Sequence, residues 1–144
     1  MSQTDVLRRQ DFRFLTPIQT RWSDNDMFGH INNVEYYRFF EMVVVEFLRG
    51  PGAMDLLNAP VITFAAESRC RFRRPLSWPR PVTGAMKVEH LGNSSVRYCI
   101  ALFDGDADDA AADGHWTHVF VDRDTQRPTP IPTAIRQVFL AHLY

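Results

Sequence analysis

A chain of 144 residues, 45% apolar and 23% charged, has the material for one ordinary domain with a packed core, which argues against a disordered or low-complexity polymer. Its 16 basic and 17 acidic side chains leave a formal charge of −1, so the totals give no electrostatic case for a nucleic-acid partner. The opening stretch MSQTDVLRRQDF has no apolar run behind a basic start, and no later segment has the length to cross a bilayer. A single domain over residues 1–144, cytoplasmic and without a membrane partner, is the expectation. Cys70 and Cys99 stand alone, with no CxxC or Cys/His spacing, and are expected to be buried, reduced thiols.

Residues 12–22, FRFLTPIQTRW, predict a first strand that Pro17 confines to a sheet edge or a bulge. In 23–33, Ser23, Asp24, Asn25 and Asp26 can each bond nearby backbone and Gly29 can take positive φ, so a folded loop is predicted. The segment 34–49, VEYYRFFEMVVVEFLR, lacks Gly and Pro. Its Glu35, Arg38, Glu41, Glu46 and Arg49 gather within an arc of roughly 140° at helical spacing, which predicts a helix buried on most sides. Asn32 or Asn33 supplies an N-cap, and Gly50-Pro51-Gly52 ends the helix.

Residues 61–74 alternate, with Ile62, Phe64, Ala66, Ser68, Cys70 and Phe72 on one face and Thr63, Glu67, Arg69, Arg71 and Arg73 on the other, predicting a long half-buried strand. Further strands are predicted at 82–91, 94–103 and 115–122, with a tight turn at Gly92-Asn93. The stretch 104–114, DGDADDAAADG, reads as a mobile acidic hairpin tip. It imitates the start of a calcium loop but has Asp109 where the turn needs Gly and His115 where a bidentate Glu is required. His115 and His118, three apart on a strand, fall on opposite faces and make a poor metal pair. After Pro128, Pro130 and Pro132, AIRQVFLAHLY predicts a short amphipathic helix. One strand, one long apolar helix and then four mostly antiparallel strands make an α+β protein, a sheet wrapped around a central helix.

Chemistry concentrates in 21–41, RWSDNDMFGHINNVEYYRFFE, where two carboxylates, an imidazole and two carboxamides precede a helix N-terminus. A carboxylate there can act as base or nucleophile, unpaired helix N–H groups can stabilise a developing oxyanion, and Gly29 allows close approach to backbone. Each residue also has a structural use. Asp24 can make an Asx bond or pair with Arg21, His30 can bond the loop backbone, and Asn32 and Asn33 can cap the helix.

The pattern Arg21-x-x-Asp24-x-Asp26-x-x-Gly29-His30-x-Asn32-Asn33-x-x-Tyr36/Tyr37-x-x-x-Phe40-Glu41 resembles the signature of hotdog-fold thioesterases of the 4-hydroxybenzoyl-CoA thioesterase group. The likeness continues through Phe72-Arg73-Arg74-Pro75-Leu76, Leu91-Gly92-x-Ser94-Ser95, Val119-Phe120-Val121-Asp122 and Arg127-Pro128-x-Pro130-Ile131-Pro132. It departs at Trp78-Pro79-Arg80-Pro81, where many relatives have a Gly-Asp pair opening the third strand. The resemblance implies a hotdog fold, a curved antiparallel sheet around one long helix. It also implies hydrolysis of an acyl-CoA thioester, without metal or organic cofactor, in a homodimer or homotetramer whose active sites lie at subunit interfaces. Asp26 would be general base or nucleophile, the Asn33 main-chain N–H would polarise the carbonyl, and His30 would bind the thioester oxygen or orient Asp26. Arg73 and Arg74 belong to the only local basic cluster, with Arg69, Arg71 and Arg80, and can dock coenzyme A phosphates. Phe28 and Tyr36, with Tyr37, Phe40 and Phe64, are candidates to line an acyl pocket. The alternatives are a hotdog enoyl-thioester hydratase or dehydratase and a non-catalytic acyl-CoA-binding module.

Overall fold

The computed structural model describes residues 6–144, so residues 1–5 of the opening stretch lie outside it. Its order is β1 (Phe14–Ile18), α1 (Asn33–Arg49), β2 (Val61–Phe72), β3 (Val82–Leu91), β4 (Ser95–Asp104), β5 (Ala112–Asp122) and α2 (Thr133–Ala141). The strands form one antiparallel sheet, β1-β3-β4-β5-β2, around α1, as in the hotdog fold. Pro17 stands on the edge strand β1, where a missing ladder donor is tolerated. No helix among the described residues is long and apolar enough to cross a membrane.

The helix forms where the charge arc predicts it. Asn32 caps it, its Oδ1 accepting the Val34 N–H at 3.1 Å, and the Gly50 N–H returns to the Glu46 carbonyl at its end. Tyr36, Phe39, Phe40, Val43, Val44, Phe47 and Leu48 are buried. Burial of Val43 and Val44 against the sheet outweighs the weak strand preference of a β-branched run. The inward residues Val96, Tyr98, Ile100 and Leu102 of β4 meet α1, while Phe139 of α2 stacks on Phe47. Their neighbours Cys99, Ala101 and Phe103 face outward, covered by Leu7 and Phe12 of the N-terminal segment. Gly84 of β3 lets the helix approach, because a Cβ there would overlap Val43 Cγ2.

Two expectations change. The alternation of β2 does not run through, because a bulge between Ala65 and Glu67 resets its phase against β5. Cys70 and Phe72 face the helix, whereas Phe64 sits opposite Val119 on the outer face and is 59% exposed. Phe64 therefore does not join Cys70 and Phe72 on the helix side. The acidic stretch 104–114 is also no hairpin tip throughout: Ala110, Ala111, Ala112 and Asp113 are buried, and β5 begins at Ala112. The Arg9 N–H bonds the Asp108 carbonyl, Ala110 N–H bonds the Leu7 carbonyl, and Arg9 Nε reaches the Ala107 carbonyl at 2.8 Å. These bonds tie the stretch to the segment that crosses the outer face. Burial pushes the Cys70 and Cys99 thiols up to about 12, so both remain protonated at neutral pH.

Two measurements test this packing. Gly84→Ala should lower unfolding stability in urea by about 1–3 kcal/mol through overpacking at Val43; an unchanged midpoint would mean that helix and sheet do not meet there. His118 is buried, its Nδ1 3.2 Å from the Tyr98 hydroxyl, and burial lowers its pKa from 6.5 to about 4. Between those values the unfolded chain binds the proton that the folded chain refuses. The stabilisation is therefore complete above pH 6.5 and is lost as pH falls towards 4, by about 3 kcal/mol. Thermal denaturation followed from pH 7 to pH 4 should show this slope, and His118→Leu should flatten it.

Candidate active site

The segment between β1 and α1 folds back on itself before it enters the helix. A 3-10 turn at Trp22–Asp24 leads into a loop closed by Asp26 N–H to the His30 carbonyl (2.7 Å) and Gly29 N–H to the Asp26 carbonyl (3.1 Å), with Gly29 at φ +81°. Glycine adopts that conformation without steric cost. The side-chain Oδ1 of Asp26 accepts the Phe28 N–H at 2.9 Å, so the carboxylate builds its own turn as well as facing outward. Asn25 clasps the loop to the β2–β3 connection by donating Nδ2–H to the Trp78 carbonyl (3.1 Å) and accepting the Trp78 N–H at Oδ1 (3.0 Å). The Ile31 N–H adds a bond to the Leu76 carbonyl.

Asp24 is the anchor. Its carboxylate is 1% exposed and accepts the Arg21 N–H, the Arg21 guanidinium and Arg38 Nη2 from α1, the last at 2.8 Å. Its carbonyl accepts the Asn32 N–H. Burial pushes this carboxyl up, but the hydrogen bonds from Arg21 and the charges of Arg38 and Arg21 outweigh that and hold it below its ordinary value. Arg38 Nε also bonds Glu35 one turn back on the same helix. Both uses open to Asp24 in the sequence occur together: its carboxylate accepts a backbone N–H of its own turn, that of Arg21, and pairs with the Arg21 guanidinium.

A cavity of about 360 Å³ opens beside this loop, lined by Asp26, His30, Ile31, Asn33, Tyr36, Phe72, Arg73, Arg74 and Pro75. The structure thus brings Asp26, His30, Asn33 and Tyr36 from the loop and helix start together with Arg73 and Arg74 from the end of β2, two segments well separated in sequence. Asn33 begins α1, so its N–H has no partner within the helix and sits at the positive end of the helix dipole. Tyr36 forms the floor. It is 3% exposed, its hydroxyl accepts the Leu76 N–H at 3.0 Å and its ring meets Phe72 edge-on at 5.0 Å. Burial raises the Tyr36 hydroxyl above its ordinary value, so it stays protonated. Phe28 is not brought in: it projects from the loop tip, 78% exposed and outside the cavity lining. Phe40 is a core residue and Phe64 lies on the outer face.

The arginines are held by carboxylates. Arg73 and Arg71 both bond Asp113, which is 1% exposed on β5, and Arg74 bonds the Asp109 carbonyl and carboxylate. Asp113 is hidden in the sequence beside the alanines of 110–112 and reads there as part of the acidic stretch. Its signal lies on the opposite strand: Arg71 and Arg73, two apart, share a face that needs a counter-charge, and Arg71 is the register partner of Asp113. Arg74 also lines a second cavity of about 350 Å³ with Val6, Arg8, Arg73, Asp109 and Ala110. Among the described residues no group of three or more His, Cys, Asp or Glu side chains stands together to hold a metal ion.

Comparison with known proteins places this geometry. A family model of the thioesterase-like superfamily matches residues 20–139, a span that includes the whole loop, α1 and the four following strands. The crystal structure of the PA5185 protein from Pseudomonas aeruginosa strain PAO1 superposes with a TM-score of 0.92 at 38% identity, covering 96% of each chain. A thioesterase from Thermus thermophilus, solved in complex with coenzyme A and Zn, shares the fold with a TM-score of 0.77 at 23% identity, over 92% of this chain and 95% of that one. YsmA of Bacillus subtilis (strain 168) is 28% identical over 88 residues, which are 61% of this chain and 59% of YsmA; the match spans less than two thirds of that relative's length. With a matched family model covering most of its length and a hotdog architecture, this chain belongs to the thioesterase-like superfamily.

Proposed function

We propose that the protein hydrolyses an acyl-CoA thioester to the free acid and coenzyme A, with Asp26 as general base or nucleophile and the Asn33 main-chain N–H polarising the thioester carbonyl. The observation that carries this reading is the shared cavity: a carboxylate, an imidazole and the N-terminus of α1 face one space. A thioester placed there would have its carbonyl oxygen towards the helix N–H, where developing negative charge is stabilised, and its carbonyl carbon within reach of Asp26 or a water beside it. His30 would bind the same oxygen or orient Asp26. Superfamily membership and the coenzyme A bound by the Thermus thermophilus thioesterase support a coenzyme A substrate. Arg73 and Arg74 at the cavity rim are the candidate phosphate contacts, and Tyr36 with Phe72 would limit the depth available to the acyl group.

The same reading includes a homo-oligomer. β2 is a sheet edge of 12 residues, and an edge of that length offers a ladder of backbone groups for pairing with a second copy. Such pairing would bring partner residues to the neighbourhood of Phe72, the β2 residue that lines the cavity.

The decisive measurement is thiol release across short, long and aromatic acyl-CoAs. Asp26→Asn should lower the rate by about 10²- to 10⁴-fold on every substrate the wild type accepts. Undiminished release would remove Asp26 from the chemistry, while ligand binding without release by the wild type would favour a non-catalytic module. Hydration of an enoyl-CoA in place of thiol release would favour a hydratase. A single turnover in heavy-oxygen water tests the nucleophile role of Asp26: only an anhydride opened by water at the Asp26 carbonyl can leave solvent oxygen on its carboxylate.

A further inference from the structure

We infer that Arg38, on α1 and outside the cavity, is a positioning residue that sets the distance between Asp26 and the Asn33 N–H. This inference rests on the function proposed above. The two groups belong to different elements, a loop and a helix, and a reaction that uses both requires the loop to be fixed relative to the helix axis. The link is Asp24. Its carboxylate is buried, and it takes Arg21 from its own turn and Arg38 Nη2 from the helix at 2.8 Å. Arg38 is in turn fixed by Glu35 on its own helix and lies 3.7 Å from Met42 Sδ, so its guanidinium cannot follow the loop without leaving the helix surface. Arg21 also reaches Glu35, at 3.7 Å, closing a four-membered charge network across the junction.

The position of Arg38 separates it from the chemistry. It lines the groove between β1 and α1 with Thr16, Gln19 and Glu41, and it is not among the residues lining the cavity that holds Asp26. What it controls is transmitted through two short steps of backbone. Two residues on from the Asp24 carboxylate stands Asp26, and the Asp24 carbonyl holds the Asn32 N–H immediately before Asn33. Releasing Arg38 leaves the Asp24 carboxylate tied only to Arg21 of its own turn, with the Asp24 carbonyl to Asn32 N–H bond as its one remaining hydrogen bond to the helix entry, so the loop can shift as a unit against that single bond while Asp26 keeps its internal bonds to Phe28 and His30. A shift of that kind misplaces the carboxylate relative to the helix N–H without altering the cavity wall made by Tyr36, Phe72, Arg73 and Arg74.

The test is a kcat-against-KM comparison of Arg38→Met with wild type and with Arg49→Ala, which removes an exposed ion pair to Glu46 at the far end of the same helix. Arg38→Met should lower kcat by about 10- to 100-fold with KM within about twofold, since misplacement on the ångström scale costs that much in an oriented reaction. Arg49→Ala should leave both unchanged. Asp24→Asn should resemble Arg38→Met, and the double variant should lose little beyond either single one. Arg38→Lys, which keeps the charge and the fold, should recover part of kcat. Amide exchange gives a readout independent of turnover: the Asn32 N–H, held by the Asp24 carbonyl across the loop–helix junction, should exchange faster in Arg38→Met and, to a smaller degree, in Arg38→Lys, while the Asp26 N–H, bonded to His30 inside the loop, and the β4 amides do not change. A kcat per folded molecule within twofold of wild type in both Arg38 variants, or unaltered exchange at Asn32, would overturn the inference. If the wild type releases no thiol, the proposed function fails instead, and the exchange result still decides whether Arg38 holds the loop.

Discussion

The buried carboxylate of Asp24 is the constraint on which the rest of the site depends. A charge removed from water is costly unless every oxygen is met by donors, and removing one partner from such a group is far more damaging than its exposed equivalent. Asp24 meets the requirement by collecting Arg21 from the turn behind it and Arg38 from the helix ahead. A loop that must satisfy a buried charge in this way has little freedom to choose another path, and the cavity beside it inherits that definition. The arginines at the opposite rim obey the same rule, since Asp113 on β5 receives both Arg71 and Arg73. The cavity thus lies between two buried carboxylates that are structural and displays a third, Asp26, that is only partly buried.

Much of the fold is legible in the sequence because periodicity and punctuation agree. The charge arc of 34–49 and its Gly-Pro-Gly stop locate α1, and alternation and turn chemistry bound three of the later strands to within a few residues. The failures share one cause, pairing between distant strands. The bulge at Ala66 is created by the register of β2 against β5, and nothing in the alternation of 61–74 announces it. In 110–113, small residues beside a carboxylate look like a solvated tip because the Arg71 and Arg73 side chains that give Asp113 its place are some forty residues away.

The candidate site divides along the same line. Asp26, His30 and Asn33 sit within eight residues, so their grouping follows from local sequence, and the family resemblance assigns them roles. Tyr36 reads from the sequence as a pocket residue but not as the partner of a backbone group, because its hydroxyl serves Leu76 in a distant connection. Phe28 reads from its neighbours in sequence as a pocket residue, yet it stands exposed on the turn that Asp26 builds. Arg38 is visible in the sequence only as one member of a charged helix face. Its significance depends on a carboxylate fourteen residues earlier in the chain.

The clasp between Asn25 and Trp78 has a chemical consequence of its own. One carboxamide both gives and receives, so it pairs with both backbone groups of one residue as an adjacent strand would, and it joins the loop to the β2–β3 connection where no strand is available. A carboxylate in its place has no hydrogen to offer and would set negative charge against the Trp78 carbonyl. Spontaneous loss of ammonia from Asn25 would therefore do more than add a charge to the surface: it would convert one half of the clasp from attraction to repulsion, making this amide a point at which chemical ageing of the protein reaches its proposed active site.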